Sequence, residues 1–292
     1  MKKKLLAMFL AAAMLSLLAG CGGQGGTNST PSTEPTPEAA PVRVEEMWLE
    51  NEGKKIYGKM YLPGEEKDSY PAIILSHGFN SSSVLNEGYA ESFAKIGFAA
   101  YIFDFCGGSP GTQSDGETTE MSVLTEYRDL SAVMDQIKAL DYVDGSQLFL
   151  FGLSQGGFVS AYTAAQRPND VKGLVLFYPA FVLQETYFEQ YDSVDAIPDE
   201  DFESMGVPLG AIYAKDARSF DIYEEIGKYK GDVLICHGDK DTLVPQSYSE
   251  RAVEVYDNAE LKIIQYGEHG VQGKLAREAT GYVTEFLEAH VG

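Results

Sequence analysis

The sequence is poor in basic residues, cysteine and histidine. Lysine and arginine number 22 against 44 acidic residues, a formal net charge of −22. That balance argues against nucleic acid as a partner and against electrostatic docking on an anionic membrane. Three cysteines are present, Cys21, Cys106 and Cys236. The last two fall at the ends of predicted strands, where buried free thiols are common. Free thiols are expected there, with a disulfide left open. Four histidines, with no H-E-x-x-H and no other cluster of ligand residues, give no reason to expect a metal site. No organic cofactor is expected either, and no internal repeat is visible. What the chain does have is length and an apolar fraction of 44%, enough for a well-buried core in one large domain or two small ones.

The amino terminus reads as a targeting segment. Met1-Lys2-Lys3-Lys4 is a positive stretch, and the apolar run Leu5 to Leu18 is short for a membrane span. Leu18-Ala19-Gly20-Cys21 follows and resembles the lipobox of bacterial lipoproteins. Residues 1–20 are therefore expected to be a signal peptide, cleaved before a lipidated Cys21. Residues 21–41 are rich in Gly, Ser, Thr and Pro and read as a flexible tether. The protein is expected at a bacterial cell surface or periplasmic face, touching the membrane only through this lipid. Retention in the membrane fraction is the check.

From Val42 to Gly292 strand and helix patterns alternate. Arg43–Glu50 and Lys55–Leu62 read as a hairpin turning at Asn51-Glu52-Gly53. Short continuous apolar runs at 72–77, 98–105, 148–153, 171–178, 232–236 and 261–266 suit strands buried on both faces. Helical patterns fall between them, the clearest over 122–140. The alternation predicts an α/β fold: a mostly parallel eight-stranded sheet with helices on both faces. Residues 180–230, acidic and aromatic, break the alternation and are too long for a loop. They read as a small inserted cap.

Gly152-Leu153-Ser154-Gln155-Gly156 is a G-x-S-x-G. It lies between the strand LFLFGL and the helix QGGFVSAYTAAQ, where a nucleophile elbow lifts a serine to the carboxyl edge of a sheet. The competing role is a plain helix N-cap, which does not need glycine on both sides. A serine nucleophile needs a base. In the chain order Ser, acid, His, His269 in the loop YGEHGVQG qualifies, whereas His290 has no loop to hold it. The acid is expected in HGDKDTLVP. Asp241 is preferred, with Asp239 as the alternative that otherwise shapes the turn. The oxyanion donors are expected to be the backbone N–H groups of Gln155 and Phe79, the latter brought close by Gly78. His77 and His237 are read as structural.

SHGFNSSS, FDFCGGSPGTQSDGETTEMSVLTEYRDL, GLSQGG, HGDKDTLVP and EHG together resemble α/β-hydrolases of the feruloyl (cinnamoyl) esterase kind. The resemblance spans nearly all of residues 44–290. It implies the eight-stranded α/β-hydrolase fold with a short inserted cap. It also implies a triad of Ser154, Asp241 and His269, with oxyanion donors on Phe79 and Gln155. The expected activity is hydrolysis of carboxylic esters, with a small-molecule or oligosaccharide ester as substrate. The same triad serves peptidases, aminoacyl hydrolases and short-chain esterases. A ligand-binding surface lipoprotein on a hydrolase scaffold is the non-enzymatic alternative.

Overall fold

The computed structural model describes residues 40–292. The signal-peptide reading, Cys21 and most of the tether lie outside the described residues. A hairpin opens the fold, β1 (Arg43–Asn51) and β2 (Lys54–Leu62), turning at Glu52 and Gly53, both at positive φ. Then come β3 (Tyr70–Ser76), α1 (Glu87–Lys95), β4 (Ala99–Phe103), α2 (Val123–Lys138), β5 (Val143–Leu153), α3 (Gln155–Gln166) and β6 (Gly173–Phe177). An inserted segment holds α4 (Val182–Gln190), the hairpin β7 (Phe202–Ser204) and β8 (Val207–Leu209), α5 (Ala211–Arg218) and α6 (Ile222–Ile226). The chain ends with β9 (Asp232–Gly238), α7 (Ser247–Val255), β10 (Ala259–Ile264) and α8 (Gly273–His290).

Eight strands form one sheet in the order β1-β2-β4-β3-β5-β6-β9-β10. Only β2 runs against its neighbours; every other adjacent pair is parallel. Parallel strands need cover on both faces, and their side chains divide accordingly. Ile74, Leu174 and Leu176 face the layer of α2, α3 and α7; Ile73, Leu75 and Val175 face α1 and α8. Each fully buried aliphatic or aromatic side chain contributes roughly 1.5–3 kcal/mol by leaving water. Helix α2 begins where Ser122 caps the Thr125 N–H and Thr125 bonds back to the Ser122 N–H, the reciprocal arrangement that satisfies two orphan donors.

Two local features differ from the sequence reading. Strand β5 starts at Val143, five residues before the apolar run, because Tyr70 and Pro71 pair with Val143 and Asp144 before a register shift at Ala72. The polar stretch Asp144-Gly145-Ser146-Gln147 hides that extension. The inserted segment also divides. Met121, Tyr187, Ile197, Val207, Leu209 and Tyr213 form a small core of their own, whereas Ile222, Tyr223 and Ile226 join the main core. The cap hairpin is tied down by Thr118, whose hydroxyl donates to the Pro208 carbonyl at 2.5 Å. Cys106 and Cys236 are buried free thiols. No helix among the described residues is long and apolar enough to cross a membrane.

Candidate active site

Ser154 sits between β5 and α3 with φ +51° and ψ −115°. An L-residue other than glycine rarely takes that conformation, and it persists only where the surroundings enforce it. Both flanking glycines are needed for steric reasons. A Cβ on Gly152 would lie 2.3 Å from the Gly156 carbonyl oxygen, and one on Gly156 would lie 2.3 Å from that of His77. The Ser154 N–H donates to Phe177 O at 2.9 Å, and its carbonyl accepts from Ala180 N at 2.9 Å. The serine occupies the N-cap position of α3, yet its hydroxyl caps no backbone N–H. It lies 3.0 Å from His269 Nε2 instead. The N-cap reading therefore does not hold.

His269 comes from the loop between β10 and α8. Its Nδ1 lies 2.7 Å from Asp241 Oδ2, in the loop after β9. The other carboxylate oxygen, Oδ1, accepts from the N–H groups of Leu243 at 3.0 Å and Val244 at 2.8 Å. His237 stands behind this carboxylate, with Nε2 3.4 Å from Asp241 Oδ2 and 2.8 Å from the Val244 carbonyl. That carbonyl can only accept, so Nε2 carries hydrogen, while Nδ1 lies 2.7 Å from the Ser249 hydroxyl. Burial by itself would raise the Asp241 carboxyl. Hydrogen bonds from His237, His269 and the Val244 N–H outweigh it and hold the group well below the usual carboxylate range. Asp239 accepts from the Tyr266 N–H at 2.5 Å and holds its turn. Tyr178, itself at φ +37°, packs its ring edge-on to His269 with centroids 4.6 Å apart.

The loop after β3 supplies Phe79. His77 Nδ1 is 2.8 Å from the Gly78 carbonyl, and its Nε2 accepts from the Phe105 N–H at 3.1 Å. Burial pushes this imidazole below its ordinary value. In a planar trans peptide the C=O and the next N–H point opposite ways. Holding the Gly78 carbonyl on His77 therefore turns the Phe79 N–H away from that ring. Gly78 also lies against the serine: a Cβ there would sit 3.2 Å from Ser154 Cβ. Asp104 locks the loop from below by accepting from Ser83 N at 2.7 Å and Gln113 N at 2.9 Å. The second expected donor, Gln155 N–H, opens α3, where the first N–H groups lack intrahelical partners.

One buried chain went unread in the sequence. Gln155 Nε2 donates to Glu126 Oε2 at 2.9 Å, and Gln155 Oε1 accepts from the Tyr213 hydroxyl at 2.5 Å. It links α2, the elbow and the cap. The signal was available: Glu126 stands four residues before Leu130, on the apolar stripe of α2. Burial raises its carboxyl to about 8, opposed by the Gln155 hydrogen bond. The unfolded chain then gives up this proton first, so the group costs stability as pH climbs from the ordinary carboxylate range to about 8. Glu126→Gln is expected to remove that slope in chemical-denaturation midpoints measured from about pH 5 to about pH 8. An unchanged slope would contradict it.

Above Ser154, His269 and Gln155 lies a cavity of about 400 Å³. Its walls are mostly apolar, including Phe79, Leu153, Tyr178, Leu183, Tyr187 and Tyr213. Among the described residues, no group of three or more His, Cys, Asp or Glu side chains is arranged to hold a metal ion.

The geometry has counterparts. A family model for serine aminopeptidase, S33, matches residues 68–207. An uncharacterised Mycobacterium tuberculosis protein is 25% identical over 227 residues, 76% of this chain and 72% of its own. The Mus musculus serine hydrolase BPHL is 26% identical over 180 residues, 55% of this chain and 60% of its own. Est1E from Butyrivibrio proteoclasticus, solved with ferulic acid bound, matches with TM-score 0.75 at 27% identity, covering 84% of this chain and 98% of that one. Strand order, the strained Ser154 junction and these likenesses agree that the chain has the α/β-hydrolase fold.

Proposed function

We propose that the protein is a serine esterase that hydrolyses carboxylic esters through an acyl-enzyme on Ser154, with hydroxycinnamoyl (feruloyl-type) esters as its substrate class. The observation that carries this reading is the hydrogen-bonded series Asp241–His269–Ser154, at 2.7 and 3.0 Å, opening into an apolar cavity. Asp241 accepts from Nδ1–H and leaves Nε2 free to take the serine proton. Ser154 Oγ attacks the ester carbonyl, and the N–H groups of Phe79 and Gln155 hold the oxyanion. His269 returns the proton to the departing alcohol. Water, activated by the same imidazole, then releases the acid.

The aryl-acyl reading is supported by the rings of Phe79, Tyr187 and Tyr213 in the cavity wall, and by the likeness to Est1E, solved with ferulic acid. An aminopeptidase must hold a substrate α-ammonium group. Among the described residues lining the cavity none carries a carboxylate, which favours esters over peptides. The presence of all three triad members at hydrogen-bonding distance disfavours a purely ligand-binding scaffold. Purified protein is expected to cleave methyl hydroxycinnamates and p-nitrophenyl esters, and to leave aminoacyl amides untouched. Amide cleavage without ester cleavage would overturn the assignment.

A further inference from the structure

The cap hairpin carries a side chain where its turn does not want one. Ser204 pairs with Val207, so Met205-Gly206 is a two-residue loop. Both loop residues have positive φ, +50° and +78°. That is the mirror-image turn whose first central position favours Asn or Gly, since a bulky side chain is strained there. Met205 gains no burial in exchange: it is 69% exposed. Its neighbours Val207 and Leu209 point into the cap core, whereas Met205 lies on the wall of the cavity above Ser154.

Two more large apolar side chains share that rim. Leu85, in the turn following the Phe79 loop, is 61% exposed, and Leu243, two residues after Asp241, is 49% exposed. Three separate elements thus leave apolar groups in water around one opening. Apolar groups gathered at the mouth of a cavity mark a place where an apolar part of a ligand is held. The rim's two sides differ. Leu243 belongs to the Asp241–His269 side, where the protonated alcohol departs. The Met205 hairpin packs with Tyr187 and Tyr213, and Tyr213 is bonded to Gln155, on the side left to the acyl group.

We propose that Met205 is a specificity-determining residue, held at the hairpin tip to contact the distal end of an extended apolar acyl group, so that the enzyme favours esters of such acids over acetyl esters. A thioether suits this position because it is flexible and packs well against both alkyl chains and aromatic rings. The inference rests on the acyl-enzyme reading but does not require the acyl group to be aromatic.

Met205→Asn provides the test, because asparagine removes the apolar contact while supplying the residue the turn prefers. Three substrates are compared: p-nitrophenyl acetate, octanoate and cinnamate. The variant is expected to lose about fivefold in kcat/KM on the octanoate and the cinnamate, to stay within about twofold on the acetate, and to melt about 2 °C higher. Met205→Leu, which keeps an apolar side chain, is expected to retain most of the long-ester activity. If Met205→Asn leaves the ratio of long-ester to acetate activity unchanged, the inference is overturned while the esterase reading stands. If the unaltered protein hydrolyses none of the three, both fall together.

Discussion

Replacement of Ser154 by alanine is expected to lower ester hydrolysis on the order of 10⁶-fold in kcat, with the fold intact. The size follows from the chemistry: without Oγ there is no acyl-enzyme, and only positioning and oxyanion stabilisation of direct water attack remain. The intact fold follows from the structure. The hydroxyl caps no backbone N–H of α3. The bonds that hold the junction run through the backbone N–H and carbonyl of Ser154, which alanine keeps. Alanine also takes up the same positive φ without adding bulk. The check is kcat on p-nitrophenyl acetate beside a thermal melt. Retention of more than about 1% of the activity, far above that residual level, would remove Ser154 from the mechanism.

Asp241→Asn is expected to cost on the order of 10⁴-fold in kcat, and the surroundings of Oδ1 say why. Leu243 and Val244 both donate N–H to Oδ1. An asparagine keeps those two bonds only by leaving its carbonyl oxygen there. Its NH₂ group must then face His269 Nδ1. A donor facing that nitrogen forces it to accept, which places the ring hydrogen on Nε2, and the imidazole can no longer take the Ser154 proton. The variant should therefore fail through the wrong tautomer while the backbone of the loop stays in place. A second consequence concerns pH. Asp241 is held well below the usual carboxylate range. Its contribution to stability is present above the unfolded value and is lost as pH falls through the folded one. The variant should lack that acid-side loss in denaturation midpoints. A kcat within about tenfold of the unaltered protein, well short of a tautomer defect, would contradict the assigned role of Asp241.

Much of this was legible because it is local. The apolar runs that became β3, β6 and β9 declare themselves within a few residues, since a strand buried on both faces has no polar positions to spare. Ser154 was legible because the glycines on either side answer a steric demand met within the same turn and by the adjoining strand. His269 followed from chain order, which left the acid to Asp241 or Asp239 in one loop; the structure places Asp241 on His269 and His269 on Ser154. What escaped depends on distant partners. The place of Glu126 on the apolar stripe of α2 marks it as buried, but nothing near it announces its partner Gln155, 29 residues away, or that Tyr213 in turn donates to Gln155. His237 was read as structural, but its place behind the Asp241 carboxylate depends on Ser249 and Val244. The β7–β8 hairpin is three residues a side, too short for alternation to register. Val143–Gln147 carries no strand pattern of its own, because its strand character comes from pairing of Val143 and Asp144 with Tyr70 and Pro71, not from its side chains.

The central claim is that Ser154, activated by His269, forms a covalent bond with the carbonyl carbon of an ester. A p-nitrophenyl alkylphosphonate mimics that step, since the serine oxygen attacks phosphorus and p-nitrophenolate leaves, fixing the phosphonyl group on the protein. The most direct measurement is peptide mass mapping after this treatment, in the unaltered protein and in His269→Ala. One adduct is predicted, on the peptide containing Ser154, released with one equivalent of p-nitrophenolate and strongly slowed in His269→Ala. An adduct on another residue, or none at all while ester hydrolysis proceeds, would contradict the account.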